Sequence, residues 1–186
     1  MKRIVRPFLL SVVIVALLLA DSPLRAQNLN PGAVAPAASF VYIVSATLKE
    51  FSVYEIDASS GALVPITGSP FPVPGPQSPI NLILDAANEF AYLLSTSAPS
   101  AILTYRIDLQ TGLLTLLGST TYAGSVGSIA LTPNAKFIYV TWGQLAGYKV
   151  NSQTGVPSGV AQNIVQPQTQ GAVSVIAIDP SAGFYT

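Results

Sequence analysis

Asp57, Asp108 and Asn151 stand at the same point of three similar segments, and Asp85, Thr132 and Asp179 form a second series of that kind. Acids that recur in this way could hold a divalent cation on oxygen ligands or share a proton in acid–base work. Their surroundings support neither use. The chain has no His and no Cys, which excludes a Ser-His-Asp triad, thiolate catalysis and any Cys-containing zinc site. Four spaced Asp without a dense oxygen cluster predict no bound metal, and no motif implies a cofactor. Each series also has a local explanation. Asp57, Asp108 and Asn151 precede Ser60-Gly61, Thr111-Gly112 and Thr154-Gly155, the pattern of a turn in which Asp or Asn bonds back to the backbone. Asp85, Thr132 and Asp179 end short apolar runs, where an oxygen caps the following turn.

Other candidates are fewer. Trp142, the single Trp, stands just past an apolar run where a loop should begin, and a ring there can stack on a sugar. It is the one candidate ligand-binding residue, with packing between sheets as its competing role. Glu55, Arg106 and Lys149 share a register but differ in sign, which suits a solvated face better than a binding site. Ala123-Gly124-Ser125-Val126-Gly127 outlines a nucleophile elbow, but the helix and the His that an elbow needs are missing.

The elements that carry these residues repeat. Phe40-Val41-Tyr42-Ile43, Phe90-Ala91-Tyr92-Leu93 and Phe137-Ile138-Tyr139-Val140 follow one pattern at spacings of 50 and 47 residues, and another 47 residues lead to Phe184. Each copy continues in register with Tyr54-Glu55-Ile56-Asp57, Tyr105-Arg106-Ile107-Asp108 and Tyr148-Lys149-Val150-Asn151. A third shared element precedes Phe as Leu82-Ile83-Leu84, Ile129-Ala130-Leu131 and Ile176-Ala177-Ile178. Three registers that agree across copies mark a true repeat.

Short runs of Val, Ile, Tyr, Phe and Leu between Gly, Pro, Asn and Ser are strands, and no stretch after the N-terminal segment has helical periodicity. The third copy predicts strands at Ile129–Leu131, Phe137–Thr141 and Leu145–Val150, with a weak fourth around Gly159–Ile164. The second predicts Leu82–Leu84, Phe90–Leu94, Ile102–Ile107 and Leu113–Leu117. The first copy shows no inner strand. The fold class is therefore all-β: about three β-propeller blades of four antiparallel strands each, whose apolar faces only neighbouring blades can cover.

The N-terminus reads differently. Lys2, Arg3 and Arg6 precede an uncharged run from Pro7 to Ala20, the pattern of a secretory signal, with cleavage expected after Ala26 or, as the weaker choice, after Ala20. The run is short for a membrane-spanning helix, which needs about 20 residues. The expected organisation is a signal peptide over 1–26, a linker over 27–39 rich in Pro, Ala and Asn, and a partial propeller over 40–186. Export to the periplasm or beyond follows, with no transmembrane span after processing. Removal of 1–26 turns a balanced chain of eight bases and eight acids into one with four bases and seven acids. A mildly acidic protein has no electrostatic draw toward nucleic acid. Only 9% of all residues are charged, against about 25% in an ordinary soluble domain.

These repeats resemble the lactonase-type seven-bladed propeller family, which includes 6-phosphogluconolactonases and the YVTN repeat proteins. Tyr139-Val140-Thr141-Trp142 matches that tetrapeptide in three of four positions. Tyr54-Glu55-Ile56-Asp57, Ser60-Gly61-Ala62-Leu63 and Gly68-Ser69-Pro70-Phe71 are similar to the family's strand-turn-strand signature. The resemblance implies about seven blades, more than are present here. It also implies lactonase sites that use charged or polar groups including His, so no catalytic residue carries over to this chain. The expected role of the chain is a scaffold that binds a small molecule, glycan or protein on its channel face. Sugar-lactone hydrolysis by a full-length parent is the alternative. An outer-membrane barrel needs strands of about 9–11 residues, roughly twice the length expected here. Ending inside a strand leaves open blade faces. That predicts a truncated reading of a longer gene or, less favoured, self-association that closes a ring.

Overall fold

The computed structural model describes residues 12–15, 38–75, 78–97, 99–122, 127–141, 145–165 and 176–179. Those residues form thirteen strands and no helix. The first sheet contains β1 (Val12–Val15), β2 (Phe40–Ser45), β3 (Glu50–Ile56), β4 (Leu63–Pro65) and β5 (Phe71–Pro72), in the order β1-β2-β3-β4 with β5 also on β3. The second runs β6 (Pro79–Leu84), β7 (Phe90–Ser95), β8 (Ala101–Ile107) and β9 (Leu114–Thr121). The third runs β10 (Ile129–Leu131), β11 (Phe137–Thr141), β12 (Leu145–Val150) and β13 (Pro157–Val165). Every neighbouring pair is antiparallel and, apart from β3 with β5, sequential, the up-and-down order of a propeller blade. The fold class is thus as expected.

The first copy does have an inner strand. Val12–Val15, inside the segment read as an export signal, pairs with β2. Ile14 lies opposite Ile43, as Leu82 lies opposite Leu93 and Ile129 opposite Val140. Four consecutive β-branched residues suit this slot physically. The sequence reading missed it because the segment's flanking charges and length spell a leader. Except for those four residues, 1–26 and its cleavage site lie outside the described residues, as does most of the linker. Residues 176–179, expected as the inner strand of a fourth copy, are not in a strand, and Phe184 lies outside the described residues.

Burial follows each sheet's position. All six residues of β7 are buried, because the middle sheet is covered on both faces. In β2 the buried residues are Phe40, Tyr42 and Val44, whereas in β11 they are Ile138, Val140 and Thr141. Each outer sheet therefore packs one face inward. Two apolar clusters result, one between the first and second sheets around Tyr42, Val53, Leu93 and Leu103, the other between the second and third around Tyr92, Ile102, Ile138 and Val140. A fully buried aliphatic such as Leu93 contributes about 1.5–3 kcal/mol of transfer free energy.

The contact between sheets has a repeated centrepiece. The Phe40 ring lies on Gly112, the turn glycine of the next sheet, and the Phe90 ring lies on Gly155 in the same way. A Cβ on Gly112 would sit 2.6 Å from the Phe40 ring, so the position admits no side chain. The Tyr42 hydroxyl donates to the Gly112 carbonyl at 2.9 Å beside it. On the same face, directly across from Phe90 on β8, the Arg106 guanidinium lies 4.9 Å from the ring centroid, within cation–π range.

Candidate functional site

Turns of the Asp/Asn-x-x-Ser/Thr-Gly type gather at the Phe end of the sheets, and their acids are engaged there. One Asp57 carboxylate oxygen accepts from the Ser59 and Ser60 amides at 3.1 and 2.8 Å and from both hydroxyls at 2.6 and 2.7 Å. Those bonds hold its pKa down at about 2, the Ser59 hydroxyl contributing most. Asp108 accepts from the Gln110 and Thr111 amides at 2.8 and 3.1 Å, which also lowers its pKa. Asn151 accepts from the Gln153 and Thr154 amides at 2.9 and 3.0 Å. The second series acts as caps: the Phe90 amide donates to Asp85 at 2.9 Å, and the Phe137 amide donates to Thr132 Oγ1 at 3.0 Å. Burial raises the Asp85 pKa more than that bond lowers it. Glu55, Arg106 and Lys149 are all exposed, as a solvated register requires.

A cleft of about 350 Å³ opens at this same end between the first two sheets, lined by the apolar Phe40, Ile66 and Leu113 and the polar Glu55, Thr67 and Gln110. Among the described residues no group of three or more His, Cys, Asp or Glu converges anywhere.

The opposite end is rich in hydroxyls. The inner strand β6 begins after Ser78, whose amide donates to Ser95 Oγ at 3.0 Å at the end of β7. Ser97 Oγ donates to Ser78 Oγ at 3.1 Å, and the Thr96 amide donates to the Ser78 carbonyl at 3.0 Å. Tyr122 closes the group by donating its hydroxyl to the Ser95 carbonyl at 3.0 Å; burial raises its pKa. The third sheet repeats the arrangement. The Ser128 amide donates to Thr141 Oγ1 at 2.9 Å, and the Thr141 amide returns a bond to the Ser128 carbonyl at 3.0 Å. Gly127 packs so closely on the Thr141 carbonyl that any Cβ would collide with it. The rim thus belongs to the turns that lead into each inner strand and out of each Phe-x-Tyr strand.

Ser95 and Thr141 are buried, while Ser78, Thr96 and Ser97 are half-exposed. Such hydroxyls both donate and accept. Trp142 follows Thr141 directly but lies outside the described residues, as do 123–126 of the elbow-like segment. Sequence reasoning passed over the hydroxyl rim. Its signal was present as a Ser or Thr closing each Phe-x-Tyr strand, at Ser45, Ser95 and Thr141. The offset differs by one between Ser95 and Thr141, and the irregular register between Pro79 and Asn81 absorbs that residue.

No family model matches the sequence, and no curated protein sequence matches it. Solved structures do. The periplasmic gluconolactonase of Pseudomonas aeruginosa superposes with a TM-score of 0.58 at 19% identity, over 74% of this chain and 40% of that one. A Bacteroides fragilis protein assigned as a 6-phosphogluconolactonase gives 0.59 at 15% identity, over 69% and 37%. A Bacteroides uniformis protein assigned to the same activity gives 0.58 at 16% identity, over 68% and 38%. The chain spans about two fifths of the length of the solved structures it matches. The shared feature is the propeller fold, here in three sheets among the described residues.

Proposed function

We propose that this chain is the blade-bearing part of an exported, lactonase-like propeller protein that binds a neutral, hydroxyl-rich ligand, a glycan or small sugar. The observation that carries this reading is the cluster in which the Ser78 amide donates to Ser95 Oγ and Ser97 Oγ donates to Ser78 Oγ, with the amide-to-hydroxyl bond repeated one sheet further on by Ser128 and Thr141. A few placed polar groups around an otherwise apolar frame are what orient a small ligand. Export rests on the Lys2-Arg3 and apolar leader, and the likeness to a periplasmic gluconolactonase agrees with it. Trp142, next to Thr141, is placed by sequence to stack on a sugar face at this rim. The test is a glycan screen with the full chain, repeated on Trp142→Ala and Ser97→Ala. Each variant is expected to weaken any hit about tenfold or more, a loss of one stacking or hydrogen-bonding partner. Unchanged affinity in both would remove the rim as the site.

Lactone hydrolysis is the second reading, favoured by the likeness to gluconolactonases. It is tested by following gluconolactone and its 6-phosphate in the presence of the protein. Turnover no faster than spontaneous opening would dispose of it.

A further inference from the structure

Each sheet sets a Phe directly across from a charged residue: Phe40 from Glu55, Phe90 from Arg106 and Phe137 from Lys149. Residues paired in this way share a face of the sheet, so the charged side chain is the neighbour of the ring. In the second sheet that neighbour is a cation, and the Arg106 guanidinium rests on the Phe90 ring. In the first sheet the same register holds Glu55, so the chain supplies no cation there. The cleft between the first and second sheets lies at this point, lined by both Phe40 and Glu55. Its opening follows from the outer strands. β4 stops at Pro65, whereas β9 continues to Thr121 and fastens the next sheet through the Thr120 hydroxyl, which donates to the Pro157 carbonyl. Beside that bond a Cβ on Gly118 would meet Val156 at 3.4 Å, and Val156 holds the turn position that Leu113 holds in the cleft.

We propose that this cleft binds a guanidinium group carried on a short aliphatic stem, held between the Glu55 carboxylate and Phe40. The ligand brings to Phe40 what Arg106 brings to Phe90, and Glu55 supplies the counter-charge. Glu55 is the one charged residue among the described residues that line the cleft. A second carboxylate, Asp108, lies at the base of the facing turn, where the Gln110 and Thr111 amides donate to it and keep it ionised at neutral pH. Both charges favour a cation. A guanidinium has five N–H donors in a plane, and the Thr67 and Gln110 side-chain oxygens are acceptors for those that Glu55 leaves free. Ile66 and Leu113 offer the stem an apolar surface. The volume of about 350 Å³ lies in the range of small-ligand sites. Both walls belong to sheets that pack on each other within this chain, at the opposite end from the hydroxyl rim. The site therefore stands or falls separately from the neutral ligand proposed there.

The decisive experiment follows the amide NMR signals of Thr67, Gln110 and Thr111 in the full chain as butylguanidinium is added. Their shifts are expected to saturate at millimolar concentrations. Butylurea, of the same shape without the charge, should bind about threefold more weakly or worse, a comparison that needs no variant. Glu55→Gln, at an exposed position, should weaken butylguanidinium about threefold or more. Glu55→Arg puts the chain's own guanidinium where Arg106 stands in the second sheet, and it should cut binding more than about tenfold. The tripeptide acetyl-Gly-Arg-Gly-amide separates the two sources of such a group. Tighter binding of the peptide assigns a peptide-borne arginine, and tighter binding of butylguanidinium assigns a free base. Shifts that never saturate, equal binding of butylurea, or variants that bind like wild type would each overturn the proposal.

Discussion

Gly112→Ala isolates what one inter-sheet contact contributes, because Gly61 supplies its control. The two glycines occupy equivalent turns with φ of +73° and +71°. Alanine at such a positive φ costs about 1–2 kcal/mol at either site. They differ in what surrounds them: a Cβ at Gly112 falls 2.6 and 2.8 Å from Phe40 ring carbons, whereas one at Gly61 meets nothing within 4 Å. Overpacking against a ring held in a closed core adds about 1–3 kcal/mol. Gly61→Ala is therefore expected to lose about 1–2 kcal/mol and Gly112→Ala about 2–5 kcal/mol. Urea unfolding, followed by near-ultraviolet circular dichroism at a concentration where the chain is single, reads the difference as a shift in midpoint at constant slope. Adding Phe40→Ala should cancel most of the excess in Gly112→Ala, since the colliding ring is then gone. Equal losses for the two alanines, or no coupling to Phe40, would show that the ring-on-glycine contact is not what joins the sheets.

Tyr42→Phe should destabilise by about 1–2 kcal/mol, because it removes a buried bond to the Gly112 carbonyl. Tyr105→Phe should be neutral or slightly stabilising, since that hydroxyl is buried with no partner among the described residues and burial already raises its pKa to about 12; the pair is compared by urea midpoints. The two kinds of carboxylate should titrate in opposite senses. Asp57 titrates near 2 when folded, against an ordinary 3.8, so its contribution is complete above about pH 4 and is lost as pH falls toward 2. Asp57→Ala should flatten that limb of the thermal midpoint curve. Asp85 is raised by burial, so its ionised form opposes folding and stability declines as pH rises through its folded value. Asp85→Asn keeps an oxygen for the Phe90 amide and should be at least as stable as the parent at pH 7; a loss above about 1 kcal/mol, the worth of one ordinary hydrogen bond, would contradict the burial argument.

The parts of the fold legible in the sequence were those where apolar pattern and turn chemistry coincide. Ile129–Leu131, Phe137–Thr141 and Leu145–Val150 occur with the boundaries that Val, Ile, Leu and Tyr imply. Outer strands were under-read. Expected at Leu113–Leu117 and Gly159–Ile164, they run over Leu114–Thr121 and Pro157–Val165. The tail Gly118-Ser119-Thr120-Thr121 has no apolar signal, and it joins the sheet through backbone pairing with Ala101–Thr104. Thr120 Oγ1 then donates to the Pro157 carbonyl of the next sheet at 2.5 Å, a contact invisible without the fold. The acids were legible because Asx turns are local. The hydroxyl rim was not, because Ser78 and Ser95 meet only when two strands pair across 17 residues.

The pairing of Val12–Val15 with β2 sets two fates against each other for the same four residues. An export leader must be unpaired to thread through a translocation pore and to lie extended in a processing protease. Once its amides are locked to Phe40–Ser45, it can do neither. On the export route proposed above, a newly made chain has to meet the secretion apparatus before β1 pairs with β2, and earlier pairing would leave it on the side where it was synthesised.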